Sequence, residues 1–203
     1  MTGNKRLFLL VIALLLLLIP SPAVAGDGVL ILCYHDVGKV DNDYTISTAT
    51  LAAHFDFLRH NGYNPISLKQ YLDANATGAP LPDKPVLLTF DDGYISFYNE
   101  VFPLLKKYQF PAALAVVTSW LEGRKPPDVG PLVNWQQIRE MEASGLVAVA
   151  SHSHNLHHPV TANVFGDRGE AGAALICHDG QYESLESYRS RTAGDLAETQ
   201  AVF

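Results

Sequence analysis

Two adjacent carboxylates close an apolar run in Leu88-Thr89-Phe90-Asp91-Asp92-Gly93-Tyr94. Neighbouring carboxylates repel, so a partly buried pair calls for a cation or a shared proton. Two further apolar runs also end in polar clusters. One gives Tyr34-His35-Asp36, the other Ser151-His152-Ser153-His154-Asn155-Leu156-His157-His158-Pro159. A carboxylate and two imidazoles make a facial site for a divalent transition metal, with positions left open for water or substrate. The second carboxylate is then free to act as a base toward that water. Gly93 lets the backbone turn tightly beside a substrate. Each cluster has a plainer reading when taken alone. A DDG is commonly a solvated turn, a His-rich stretch a surface loop, and His35 a core histidine. Three such clusters at three strand ends argue for chemistry. His54 and His60 have no acidic partner in pattern, and His178-Asp179 reads as surface.

The elements that must position these groups alternate strand and helix. Strands are expected at Val29 to Tyr34, Val86 to Phe90, Ala112 to Val117 and Leu146 to Ala150. Ser47 can cap a helix that places Leu51, Phe55 and Leu58 on one face, with Gly62 as its stop. Ser67 can cap a shorter helix through Leu72, and Asn75 to Pro85 reads as a loop. A helix is expected from Ile95 to Tyr108 despite Pro103, and Asn134 can cap one that carries Ile138 and Met141 and ends at Gly145. Strands this apolar on both faces imply a parallel sheet covered by helices, either a β/α barrel or an open α/β sheet. In both, functional groups belong just past the carboxyl ends of strands, which puts all three clusters on one rim. Beyond Pro159 the pattern fades. Asp179 to Ser190 is polar and mixed, and a helix is expected only from Ala193 to Phe203. Too few strands are visible for a complete barrel, so the sequence reads as the front part of a longer protein.

The first 25 residues read as a secretory signal rather than part of the domain. Lys5 and Arg6 precede 13 apolar residues, Leu7 to Ile19, and Ala23-Val24-Ala25 supplies an A-x-A cleavage pattern. The run is short for a membrane span; an uncleaved anchor is the competing reading. The domain is then 26–203, exported. Losing the two cations takes the formal charge from −7 to −9, which argues against nucleic acid or anionic lipid as partner. Export permits a Cys33–Cys177 disulfide. Two cysteines make no framework, however, and a buried free thiol fits Cys33 in its apolar strand equally well.

The motifs resemble a known family. "TFDDG" after one strand, with "SHS" and a later histidine after another about sixty residues on, is similar to the polysaccharide deacetylases of the NodB-homology type, carbohydrate esterase family 4. "YHDV" at Tyr34–Val37, "LTFDDGYISFYNEVFPLLKKY" at Leu88–Tyr108 and "ASHSHNLHH" at Ala150–His158 resemble its poly-β-1,6-N-acetyl-D-glucosamine N-deacetylase branch from biofilm systems. The resemblance covers roughly Val29 to His158. It implies a deformed (β/α) barrel, incomplete at the C-terminus. It also implies Asp91 as general base, His35 as general acid, and Asp92, His152 and His157 as ligands of zinc, nickel, cobalt or iron. Asp36, by its position alone, is expected either to orient His35 or to serve as a strand-end hydrogen-bonding group.

The wider family spaces its metal histidines four apart, whereas His152 and His157 are five apart. His154 with His158 is the four-apart alternative; His152 is preferred because it follows Ser151 at the strand end. The family's later Arg/Pro-bearing loop has no match before Phe203. The implied activity is hydrolysis of N-acetyl groups on an N-acetylglucosamine exopolysaccharide, by a monomer in the periplasm or at the periplasmic face of the outer membrane, beside the export machinery. A peptidoglycan or chitooligosaccharide deacetylase, and a glycan-binding module that keeps the metal site without turnover, are the alternatives. A metal-dependent phosphoesterase fits less well, because no Arg or Lys cluster adjoins the motifs.

Overall fold

The computed structural model describes residues 28–203. The signal segment expected at 1–25 lies outside them. Four parallel strands run side by side: β1 (Leu30–Tyr34), β5 (Pro85–Phe90), β6 (Ala112–Val116) and β7 (Val147–Ser151). The short β4 (Asn64–Ile66) joins the first half of β5 on the side that β6 takes over in the second half. All pairings are parallel, as strands apolar on both faces require. Among the described residues the sheet does not close into a ring, and the outer edge of β1 is unpaired.

The helices form where side chains can satisfy their ends. Ser47 accepts the Thr50 N–H at 3.1 Å and starts α1 (Thr48–His60). Its Leu51, Phe55 and Leu58 are buried, each stabilising by about 1.5–3 kcal/mol. Ser67 with Gln70, and Asn134 with Gln137, form reciprocal capping boxes at α2 (Leu68–Thr77) and α4 (Trp135–Ala143). α2 runs past the expected Leu72 because nothing before Gly78, in the left-handed conformation, stops it. The segment after β5 opens with a wide π-helical turn, Phe97–Val101, before α3 (Phe102–Tyr108). Pro103 explains the register. It lacks an N–H, and its ring clashes with the carbonyl of Asn99 in a regular α-turn; widening the turn relieves both.

The remaining elements frame the carboxyl rim of the sheet. β2 (Asp36–Gly38) pairs with β3 (Thr45–Ser47), β8 (Pro159–Thr161) with β9 (Arg168–Glu170), and β10 (Cys177–His178) with β11 (Gln181–Tyr182). The last helix, α5 (Leu185–Val202), begins eight residues earlier than the sequence pattern suggests, because Ser184 caps it by accepting the Ser187 N–H. No helix of the described residues is long and apolar enough to cross a membrane. Both cysteines are free, Cys177 buried and Cys33 exposed rather than buried.

Candidate active site

The β5 strand delivers Asp91 and Asp92 to the rim. Asp91 stays in the sheet pattern, its N–H donating to the Tyr34 carbonyl at 2.9 Å. The chain then turns sharply: Asp92 has φ 72° and Gly93 φ 81°. A left-handed aspartate costs about 1–2 kcal/mol, and such strain clusters at functional sites. The surrounding chain holds it in place: the Gly93 carbonyl accepts the Val133 N–H at 2.9 Å, and the Pro131 carbonyl accepts the Ile95 N–H at 2.8 Å. A Cβ on Gly93 would sit 3.0 Å from Val116 Cγ1, so the turn passes directly against β6.

The turn aims Asp92 inward, where it is 5% exposed. Its Oδ1 lies 3.2 Å from His157 Nε2 and 3.7 Å from His152 Nε2. None of these contacts has hydrogen-bond alignment, and Oδ1 is left without a partner among the described residues. A buried carboxylate oxygen without a partner costs more than a kilocalorie. Asp92, His152 and His157 each present one donor atom within 4.8 Å of the others. One hard oxygen and two imidazole nitrogens converging on an unsatisfied point fit a divalent transition cation.

The histidines arrive on the loop after β7, and hydrogen bonds to the end of β6 fix that loop. The His152 N–H donates to Val116 O at 2.8 Å, the Thr118 N–H to Ser153 O at 3.2 Å, and the Ser119 N–H to His154 O at 3.0 Å. Ser153 has φ 79°, which turns His154 away from the face His152 occupies. His154 is buried elsewhere, with Nδ1 2.8 Å from Thr118 Oγ1 and Nε2 2.7 Å from Arg124. The same Nε2 also lies 3.0 Å from Glu198 Oε2, so both ring nitrogens are engaged away from Asp92. His154 is thus apart from Asp92, and His158 does not join the cluster either.

Three residues at this site carried no signal in the sequence pattern. Glu170 Oε2 lies 3.4 Å from His157 Nδ1, the outer-partner position that sets the orientation of a ligating imidazole. The Asp92 carboxylate first, and Glu170 and Asp91 at longer range, hold the His157 ring above its usual 6.5 against the effect of burial. Trp120 lays its ring 5.1 Å from that of His157. Asp195, from α5, accepts the N–H groups of His154 at 2.8 Å and Asn155 at 2.6 Å.

Asp91 and His35 form a second group beside the first. Asp91 Oδ2 accepts a hydrogen bond from Cys33 Sγ at 3.2 Å, and a nitrogen of His35 lies within 4.8 Å of both donor atoms. Asp36 turns away from His35: its Oδ1 accepts from Ser96 Oγ at 2.7 Å and its Oδ2 from Thr45 Oγ1 at 3.3 Å, which ties β2 to the segment after β5. Of its two expected roles, Asp36 takes that of a strand-end hydrogen-bonding group that braces the rim. His54 bonds Tyr34, and His178 with Asp179 lies on the surface, at 86% and 90% side-chain exposure.

The sequence and fold are similar to those of known proteins. A polysaccharide deacetylase family model matches residues 78–183. A poly-β-1,6-N-acetyl-D-glucosamine N-deacetylase of Escherichia coli K12 is 37% identical over 179 residues, which covers 81% of this chain and 27% of that protein. The chain therefore spans about a quarter of that relative's length. A solved de-N-acetylase from Aggregatibacter actinomycetemcomitans is 40% identical with a TM-score of 0.73, covering 84% of this chain and 71% of that one. The BpsB deacetylase domain of Bordetella bronchiseptica is 40% identical at a TM-score of 0.68, covering 87% and 74%. Sequence and fold agree: the chain belongs to the polysaccharide deacetylase family.

Proposed function

We propose that this chain hydrolyses N-acetyl groups of a poly-β-1,6-N-acetyl-D-glucosamine polymer outside the cytoplasm, in the periplasm or at the periplasmic face of the outer membrane. The single observation that carries the reading is the partnerless, buried Oδ1 of Asp92 facing two histidine Nε2 atoms, with a second carboxylate and His35 alongside. Asp92, His152 and His157 would hold a divalent cation, which supplies Lewis-acid polarisation of the amide carbonyl.

The chain's own residues do the proton work. Asp91 takes a proton from the attacking water on the carboxylate oxygen that Cys33 leaves free. His35 gives a proton to the sugar nitrogen as the carbon–nitrogen bond breaks, and acetate departs. Gly93 lets the turn pass directly against β6, which sets the direction of the Asp92 carboxylate. Glu170 and Trp120 hold the His157 ring in plane. The product amine is cationic, which an acidic chain tolerates without repulsion.

Acetate release tests the proposal. The chain is loaded with zinc, nickel or cobalt and offered β-1,6-linked and β-1,4-linked N-acetylglucosamine oligomers. Metal-dependent release favouring the β-1,6 series is the expected result. Preference for the β-1,4 series would move the substrate to peptidoglycan or chitooligosaccharide. Binding without acetate release in either series would make the chain a glycan-binding module.

A further inference from the structure

The residues beside the proposed base form a donor set of their own. β1 and β5 are parallel and in register, with Cys33 opposite Thr89 and Tyr34 opposite Phe90. Side chains alternate along a strand, so Cys33, His35, Thr89 and Asp91 share one face. Cys33 Sγ, a ring nitrogen of His35 and a carboxylate oxygen of Asp91 all lie within 4.8 Å of one another. The sulfur and Asp91 Oδ2 are 3.2 Å apart. Zinc bond lengths place donors in a tetrahedral site about 3.4–3.6 Å apart. The sulfur and carboxylate oxygen are a few tenths of an ångström closer than that, and all three donors lie within the 4.8 Å that small side-chain shifts can close around an ion. The thiol is exposed, so an ion reaches it directly.

We propose that Cys33, His35 and Asp91 form a second divalent-metal site, selective for thiophilic ions such as zinc and cadmium. Its donors are sulfur, nitrogen and oxygen, whereas the Asp92 centre offers oxygen and two nitrogens. Soft cations therefore discriminate between the two. Binding converts the Cys33 thiol to a metal-bound thiolate, and its proton passes to solvent. The ion then occupies the Asp91 carboxylate and the His35 imidazole together. On the reading given above, this removes base and acid at once, so excess zinc inhibits where the first equivalent activates.

Cobalt(II) alone reads the site without any substrate. A thiolate ligand gives cobalt an intense near-ultraviolet charge-transfer band that nitrogen and oxygen ligands do not. Cobalt titration of the full chain should develop this band with a stoichiometry of two ions per chain. Cys33→Ser should lose the band and one of the two ions. Cys177→Ser should keep both, and His152→Ala should keep the band while losing the other ion. A wild-type titration without the band, or a band that survives in Cys33→Ser, overturns the proposal.

Zinc inhibition of acetate release is the second readout. Cys33→Ser should shift the half-inhibitory zinc concentration upward by at least about tenfold, since losing even an outer partner of a ligand costs that much. An unchanged inhibition curve with the band present would overturn the inhibitory role. If the chain proves inactive on every glycan, the function proposed above fails, while the cobalt band still decides the second site.

Discussion

The carboxylate of Asp195, on the last helix, accepts the backbone N–H of His154 at 2.8 Å across 41 positions of sequence. The same side chain takes the Asn155 N–H at 2.6 Å and is 8% exposed. It therefore pins α5 to the loop that presents His152 and His157. Hydrogen bonds to a charged group contribute about 1.5–3 kcal/mol. Asp195→Asn turns one acceptor into a donor that faces an N–H. We expect a loss of about 2–3 kcal/mol of stability, read as a lower urea midpoint at unchanged m-value. A midpoint within error of wild type would show that the loop stands without its anchor.

Much of this arrangement was legible in the sequence because it depends on local chemistry. Ser47, Ser67 and Asn134 each cap the helix their position announces, and apolar runs bounded by polar clusters become parallel strands with those clusters on one rim. What was not legible is long-range. Glu170 and Asp195 reach the site from segments with no hydrophobic period, so no spacing rule points to them. The start of α5 leaves no periodic signal because its first turns are polar and only the Ser184 cap marks it. Of the two readings open for Asp36, the structure bears out the strand-end hydrogen-bonding group, and its partners Ser96 and Thr45 are too distant in sequence for a spacing rule to name. The histidine choice turned on a single dihedral. His152 and His154 would share a face in an extended strand, and the positive φ of Ser153 separates them.

Stability should also depend on pH through α5. Arg191 donates to both carboxylate oxygens of Glu183, to the Ala174 carbonyl at 2.8 Å and to the Ala171 carbonyl. Arg191 first, then the Ile176 N–H, hold the Glu183 carboxyl below its ordinary 4.5. A carboxyl depressed in the folded state contributes stability that is fully present above 4.5 and fades as pH falls through its lower folded value. Glu183→Gln should therefore melt below wild type near neutrality, and the gap should narrow as pH is lowered from about 6 to about 3. Thermal melts across that range check it. A gap that stays constant would assign the effect to packing instead of charge.

The turn at Gly93 tolerates no side chain. Its φ of 81° is strained for any L-residue, and an added Cβ would lie 3.0 Å from Val116 Cγ1. Gly93→Ala should cost at least about 1–2 kcal/mol from the backbone alone. The strain falls on Asp92, the next residue back, so metal affinity should drop together with melting temperature. Retained affinity in a destabilised variant would separate the turn from the centre.

Asp91 and Asp92 should fail in different ways when each is neutralised. Asp91→Asn keeps the shape and the Asp92 centre, so metal stoichiometry at that centre should stay near wild type. Acetate release should fall by about 10²–10⁴-fold, the range for losing a general base. Asp92→Asn should instead lose metal first, and turnover with it. Parallel metal titration and acetate assays decide between them. Loss of metal from the Asp92 centre in Asp91→Asn, with turnover retained in Asp92→Asn, would reverse the two assignments.

Glu170 should tune the centre from outside. It faces His157 Nδ1 at 3.4 Å and is half exposed, so it supports the ring through one partly screened contact. An acceptor there keeps the proton on Nδ1 and leaves the Nε2 lone pair directed at Asp92 and the cation. Glu170→Gln keeps an acceptor oxygen and gives up the charge, whereas Glu170→Ala gives up both. Metal affinity should therefore fall in the order wild type, Glu170→Gln, Glu170→Ala. The last should approach the loss of about 10–100-fold typical of outer-partner removal. Competition against a chromophoric chelator measures all three. Equal affinities would mean that Trp120, packed at a tilt with its ring 5.1 Å from the same imidazole, orients His157 without help from the carboxylate.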